Sequence, residues 1–278
     1  MKILILGNGA FGSVMASYLK KQGHKVLPES EISKAEAIFV SLPYFAVVPE
    51  LLKLKNKITK SKIIICSKGF SNDGELLSEA LKKKLKNKIF FLYGPTLAHE
   101  LKEGVFSGMV LSGPSGKEKL KKELESESLH IELSEDVVGV QIGSGLKNAV
   151  TIFVGIAEGA KYGDNTKAYI FTKGVCEIAK IGKALGGDMS TFLGLTCIGD
   201  LTLHSRNRSI GVEIGKGKNI RSIIGKLDYV PEGIVAVQNI KILGIKKKIK
   251  MPIMDILYKI IFGGMSPSAG VEMIKKLP

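Results

Sequence analysis

The chain has 278 residues, of which 45% are hydrophobic and 24% charged, with a mean hydropathy of +0.17. This balance excludes a disordered chain, a collagen-like fibre and a small disulfide scaffold. The formal net charge of +15 raises the question of nucleic acid, but of 41 basic residues only Arg206, Arg208 and Arg221 are arginine. Base-reading proteins lean on arginine forks and stacked aromatics. The lysine runs Lys82–Lys84, Lys119–Lys122 and Lys246–Lys250 lack interleaved aromatics and read as solvated faces. No nucleic-acid partner is expected, and a mild attraction for anionic small molecules remains.

The cysteines Cys66, Cys176 and Cys197 form no CxxC pair, which suits a reducing compartment. His24, His99, His130 and His204 show no metal-binding spacing, so no metal site is expected. No run of about 18 uncharged apolar residues spans a bilayer. The N-terminal run Met1–Gly7 is too short for a signal sequence and leads into glycines, so a cytoplasmic location is expected.

In chain order, strands are expected at Lys2–Leu6, Lys25–Leu27, Ala37–Ser41, Lys62–Cys66, Ile89–Leu92, Ser107–Leu111 and His130–Leu133. Helical patterns fall at Phe11–Gln22, Phe45–Leu54, Gly74–Leu85, Leu97–Lys102 and Lys117–Leu124. The strands are near-continuous apolar runs, as in sheets covered on both faces. The alternation predicts parallel βαβ units, hence a doubly wound α/β Rossmann domain. From Asp136 onward the spacing is helical, with long helices at Val138–Gly159, Thr166–Leu185, Ile234–Leu243 and Pro252–Phe262. The expected organisation is a dinucleotide-binding domain at 1–134 and an all-α domain at 135–278.

Gly7-Asn8-Gly9-Ala10-Phe11-Gly12 is a G-x-G-x-x-G motif that follows a strand and opens an amphipathic helix. Gly7 permits the tight turn, Gly9 lets backbone approach a pyrophosphate, and Gly12 lets helix pack on strand. The helix N-terminus then offers unpaired N–H groups to phosphates. Glu29 follows the second strand at the spacing of a ribose-reading carboxylate, which would favour NAD over NADP; a solvated loop glutamate is the alternative.

Four further segments carry polar residues out of place as pure structure: Ser67-Lys68-Gly69, Gly94-Pro95-Thr96, Gly145-Leu146-Lys147-Asn148, and Gly199-Asp200-Leu201 shortly before Ser205-Arg206-Asn207-Arg208. The first two follow strands at the carboxyl edge, where open α/β sheets bind ligands. Taken alone, Lys147 could be a snorkelling surface lysine, Asp200 a helix N-cap and Lys68 a loop lysine. Arg208 reads as a surface residue, His99 and His204 as local hydrogen-bonding groups, and Cys66 and Cys197 as small buried hydrophobes.

Together with Val230-Pro231-Glu232-Gly233, these motifs in this order resemble the NAD(P)-dependent glycerol-3-phosphate dehydrogenases of bacterial type over nearly the whole chain. The resemblance implies a Rossmann domain followed by an all-α domain of the 6-phosphogluconate-dehydrogenase-like type. It implies hydride transfer between NAD or NADP and C2 of dihydroxyacetone phosphate. Lys147 would be the general acid/base. Lys68, Gly94 and Thr96 would contact substrate, with Lys68 also beside the nicotinamide. Asp200 would lie beside the substrate, and Ser205, Arg206 and Asn207 at its phosphate end. Ala10, Phe11, Ala98, Arg206, Val230 and Glu232 would contact cofactor. The chain departs from the family after the second strand, where only Pro28–Glu36 stands in place of a longer stretch opened by a W-x-R-like segment.

Reversible carbonyl reduction requires a lysine with a pKa well below ~10.4, and burial among apolar residues with Lys68 nearby would lower it. Asp200 opposes that shift, so it is expected to orient Lys147 or a substrate hydroxyl rather than pair with it tightly. Other readings stay open: a ketopantoate or 3-hydroxyacid reductase on the same plan, or a non-catalytic dinucleotide-sensing or nucleic-acid-associated protein. The helical half could also support a homodimer.

Overall fold

The computed structural model describes residues 1–203, 206–229 and 231–277. Its sheet strands are β1 (Lys2–Leu6), β2 (Lys25–Leu27), β3 (Ala37–Val40), β4 (Lys62–Ile65), β5 (Ile89–Tyr93), β6 (Ser107–Ser112) and β7 (Leu129–Ser134). Their spatial order is β2-β1-β3-β4-β5-β6-β7. The interleaved helices are α1 (Ala10–Lys21), α2 (Tyr44–Lys53), α3 (Leu77–Lys82), α4 (Ala98–Glu103) and α5 (Lys117–Leu124). Alternate strand residues feed two cores. Leu4, Ile38, Ile63 and Phe91 face α2 and α3, while Ile3, Phe39, Ile64 and Phe90 face α1, α4 and α5.

The helical half holds α6 (Val137–Gly159), α7 (Asp164–Ala184), α8 (Arg206–Gly215), α9 (Ile220–Ile224), α10 (Glu232–Lys247), α11 (Pro252–Phe262) and α12 (Pro267–Lys275). The expected alternation thus appears, with two departures. One pairing, β5 with β6, is antiparallel. The short α4, ended by Gly104 at φ 81°, does not carry the chain back across the sheet, so β6 enters from the opposite end. The helix expected over Gly74–Leu85 is confined to α3, because Gly74 takes φ 73° and Phe70 bridges to Leu76 in the loop before it.

Helix α6 is the axis of the second half. It is long and apolar enough to cross a membrane by length and composition, but 89% of that window is buried inside the protein. Asp136 caps it by accepting from Gly139 N–H at 2.7 Å, and the same carboxylate accepts from Asp188 N–H and the Thr191 hydroxyl. Val137 and Val140 at its start join the sheet core, while Phe70 and Leu76 from the first half join the helical core. The two halves therefore share residues across the junction.

Small residues on α6 and α8 bring these helices into backbone contact. A Cβ at Gly155 would overlap the Arg208 carbonyl, and one at Gly211 would overlap the Ile152 carbonyl. The close crossing fixes where α8 begins, and its first residues reach the cleft described below. Nearby, buried Glu177 of α7 caps α11, accepting from the N–H groups of Ile253 (2.9 Å) and Met254 (2.8 Å); burial pushes its carboxyl up to about 7. Gly211→Ala is expected to lower stability by roughly 2 kcal/mol, since backbone, not a yielding side chain, blocks the added methyl; urea denaturation checks it.

Candidate active site

The carboxyl ends of β1, β3, β4 and β5 open into a cleft of about 1010 Å³, closed on the far side by α6, the start of α8 and the start of α10. The chain runs out to β2 and back to β3 across β1, so the cleft sits at the topological switch point.

The glycine motif forms one wall. Gly7 turns the chain at φ 111°, and a Cβ at Gly12 would overlap the Gly7 carbonyl, so helix and turn need both glycines. Nothing lies within 4 Å of where a Gly9 Cβ would stand, and no side chain caps α1 there. Uncovered backbone at a helix N-terminus beside an open cleft fits a pyrophosphate. Gly7, Gly9, Ala10 and Phe11 line the cleft, and buried Gly12 packs behind them.

Two more segments converge on α6 because of its glycines. Gly143 accommodates Thr196 and Cys197, with the Cys197 Cβ 3.1 Å from where a glycine Cβ would be. Gly145 accommodates the Phe70 ring in the same way, at 3.1 Å. The first contact brings in the π-helical turn Leu195–Gly199, which delivers Asp200. The second brings in the Ser67-Lys68-Gly69 loop. Ser67 ties that loop to the end of β3 by donating to the Leu42 and Val40 carbonyls, and Tyr93 donates to the Ser67 carbonyl.

On the cleft floor, Asp200 stands between two ammonium groups. Lys147 Nζ donates to Asp200 Oδ1 at 2.5 Å and to its carbonyl at 3.2 Å. Lys68 Nζ donates to Asp200 Oδ2 at 2.5 Å and to the Gly94 carbonyl at 3.2 Å. Lys147 is 5% exposed and Asp200 3%. The expectation that Asp200 would not pair tightly with Lys147 is therefore corrected: at 3% exposure, a carboxylate away from its counter-ions would carry an uncompensated desolvation cost. Nor is Asp200 a helix N-cap, since both oxygens are spent on lysines and the residue ends the π turn.

Burial lowers the Lys147 ammonium to about 8; the Lys68 cation adds to the shift and Asp200 opposes it. Burial alone would raise the Asp200 carboxyl, but the two lysines outweigh it and hold it below its usual range. Glu232, at the first position of α10, has solvent access through the cleft yet is enclosed enough by protein for desolvation to raise its carboxyl against the pull of both lysines. Asn148 Nδ2 donates to Glu232 Oε2 at 3.1 Å.

The mouth of the cleft is formed by α8. The Arg206 guanidinium lies over the Tyr229 ring, 4.7 Å from its centroid. Asn207 Oδ1 accepts from Gly233 N–H at 3.1 Å, and among the described residues its Nδ2 has no partner. Arg208 instead pairs with Glu158, 2.8 Å away and partly exposed, outside the cleft. Gly94, Thr96, Ala98 and His99 line the wall after β5. Thr96 Oγ1 is buried without a partner among the described residues, a donor that a ligand could satisfy.

Of the residues singled out by sequence, Lys68, Gly94, Thr96, Ala98, Lys147, Asp200, Arg206, Asn207 and Glu232 thus share one cleft with the glycine motif. Ser205 and Val230, with His204, lie outside the described residues. Glu29 is exposed at the start of a short 3-10 turn and is not among the lining residues. Sequence reading gave no role to Asn148, Tyr44 or Tyr229. Asn148, a polar residue in an apolar helix, carried a signal; Tyr44 and Tyr229 carried none, because their place follows from chain segments meeting in space.

A family profile described as NAD-dependent glycerol-3-phosphate dehydrogenase C-terminus matches residues 136–272, and its N-terminal counterpart matches residues 28–119. A Clostridium botulinum protein named glycerol-3-phosphate dehydrogenase (NAD(P)+) is 33% identical over 320 aligned positions, which take in 98% of this chain and 96% of the relative. A Thermoanaerobacter protein of the same name is 31% identical, with 98% and 96% covered. Among solved structures, glycerol-3-phosphate dehydrogenase from Coxiella burnetii superposes with a TM-score of 0.93 at 22% identity, covering 99% of each chain. A ketopantoate reductase family member from Ralstonia eutropha reaches 0.57 at 14% identity, covering 99% of this chain and 100% of that one. The structural likenesses speak for the shared two-domain fold. Sequence matches spanning both halves, with the cleft between them, lead to one conclusion: the chain belongs to the NAD-dependent glycerol-3-phosphate dehydrogenase family.

Proposed function

We propose that the protein interconverts dihydroxyacetone phosphate and sn-glycerol 3-phosphate with NAD(H) or NADP(H), Lys147 serving as general acid/base. The observation that carries this reading is the buried Lys147–Asp200–Lys68 cluster on the cleft floor, between the glycine motif and the arginine at the mouth. A bound nicotinamide supplies or takes up the hydride at C2.

The other tasks fall to the chain. Gly7, Gly9, Ala10 and Phe11 would hold the pyrophosphate against the start of α1, with Ala98 and Glu232 toward the nicotinamide half. Arg206 offers a planar fork to the substrate phosphate, and Asn207 adds a neutral donor. Lys68 and Thr96 add donors nearer the carbonyl end. Lys147 donates a proton to the C2 oxygen in reduction and accepts one from the C2 hydroxyl in oxidation. A pKa of about 8 suits both directions near neutral pH, because neither protonation state is rare there. Asp200 keeps the lysine in place and balances the charge of a cleft that must also receive a dianion. The same set of roles supports a small phosphorylated substrate over an unphosphorylated 2-keto acid, for which the fork of Arg206 has no phosphate to meet.

Purified protein should oxidise NADH or NADPH in the presence of dihydroxyacetone phosphate, read at the nicotinamide absorbance. Folded protein that binds both cofactors and turns over with neither rejects the reading. Lys147→Ala should lower kcat by about 10²–10⁴ while leaving the Kd for NADH unchanged. For wild type, kcat/KM for reduction should fall as pH rises through about 8, where Lys147 loses its proton, and that for glycerol 3-phosphate oxidation should rise over the same range. Arg206→Ala should raise KM for dihydroxyacetone phosphate by roughly 10- to 100-fold, the loss of one charge-assisted contact. Steady-state kinetics at several substrate concentrations check both.

A further inference from the structure

The cleft is closed around only part of a dinucleotide. Among the described residues, its lining passes from Phe11 directly to Ser41, so nothing from the end of α1, β2 or the β2–β3 connection contributes. Strand β2 has three residues, forms the edge of the sheet and pairs only with β1. The chain then returns to β3 through the short turn Glu29–Lys34. Glu29 is exposed and makes no hydrogen bond or ion pair among the described residues.

The relative is also the longer chain. An alignment of 320 positions against a chain of 278 residues leaves at least 42 positions of the Clostridium botulinum protein without a counterpart here. The N-terminal family profile begins its match at residue 28, just past the end of β2, and leaves the glycine motif ahead of it unmatched. In a doubly wound fold the segment after the second strand is where the adenosine ribose is read. What remains on the closed side of the cleft is the glycine motif, the turn before α2 and the nicotinamide-side cluster.

We propose that this enzyme binds its cofactor through the phosphate and nicotinamide half, with the adenosine half left at the open sheet edge and contributing little to affinity. Reduced nicotinamide riboside 5′-diphosphate, which keeps both phosphates and lacks only the adenosine, then binds almost as well as the full dinucleotide. The 2′ position, hydroxyl or phosphate, goes unread. The inference rests on the assignment of the cleft to a nicotinamide cofactor.

The test is binding, not turnover. Dissociation constants for NADH, NADPH and reduced nicotinamide riboside 5′-diphosphate are measured by calorimetry on the intact protein. A base stacked on protein contributes on the order of 5- to 150-fold in affinity. The diphosphate is expected within about threefold of NADH, and NADPH within about threefold. Glu29→Ala, at an exposed position, is expected to leave all three constants unchanged, and adenosine is expected not to displace NADH. The proposal is overturned by a diphosphate more than about threefold weaker, by an NADPH constant more than about threefold from that of NADH, by displacement with adenosine, or by a Glu29→Ala change in the NADH-to-NADPH ratio. If folded protein binds no NADH at all, the cofactor assignment fails with it; if NADH binds and the diphosphate does not, only this inference fails.

Discussion

The site depends on one buried carboxylate held between two ammonium groups. Asp200 is 3% exposed, and its two oxygens meet Lys147 and Lys68 at 2.5 Å each. Neither Asp200 nor Lys147 is tolerable alone at that depth, because desolvating an ion without a partner costs several kcal/mol. Together with Lys68 they leave one net positive charge on the floor of the cleft. The same arrangement sets the lysine between donor and acceptor: burial and the second cation push its proton off, while the carboxylate holds it on.

Much of the fold serves to bring that triad together. Lys147 arrives on α6, Asp200 on a π-helical turn and Lys68 on the loop after β4, three segments far apart in sequence. They meet because α6 has no side chain where the others must pass, at Gly143 for the Asp200 segment and Gly145 for the Lys68 loop. The glycines of Gly143-Ser144-Gly145-Leu146-Lys147 thus shape the triad through packing. The crossing of α6 with α8 works likewise, placing Arg206 and Asn207 at the mouth. Asp136 adds a further tie, one carboxylate capping α6 and anchoring the segment that leads to Asp200.

The two ends of the cleft are unequal. The floor is crowded and charged, and Lys68, Lys147, Asp200 and Asn148 there each meet a protein partner. Toward β2 the wall stops at the sheet edge, and Glu29 stands in solvent. Close packing is concentrated around Asp200 and its two lysines, and the far side is left open. The short course out to β2 and back to β3 still pairs β1 on both sides and so holds the glycine turn.

The sequence by itself determined the local elements, the glycine turn and the list of polar residues in apolar surroundings. These are readable because periodicity, strand–glycine–helix order and residue chemistry are properties of neighbouring residues. Lys147 could be singled out because an ammonium in an apolar helix such as Val138–Ala157 needs a reason to be there. Three things were decided by tertiary structure. The direction of β6 followed from how far α4 carries the chain. Glu29, spaced as a ribose reader, stands in solvent because β2 is a three-residue edge strand and a short turn leads straight back to β3. Asp200 became the tight counter-ion of Lys147 because depth, which no stretch of sequence displays, makes an unpaired charge too costly.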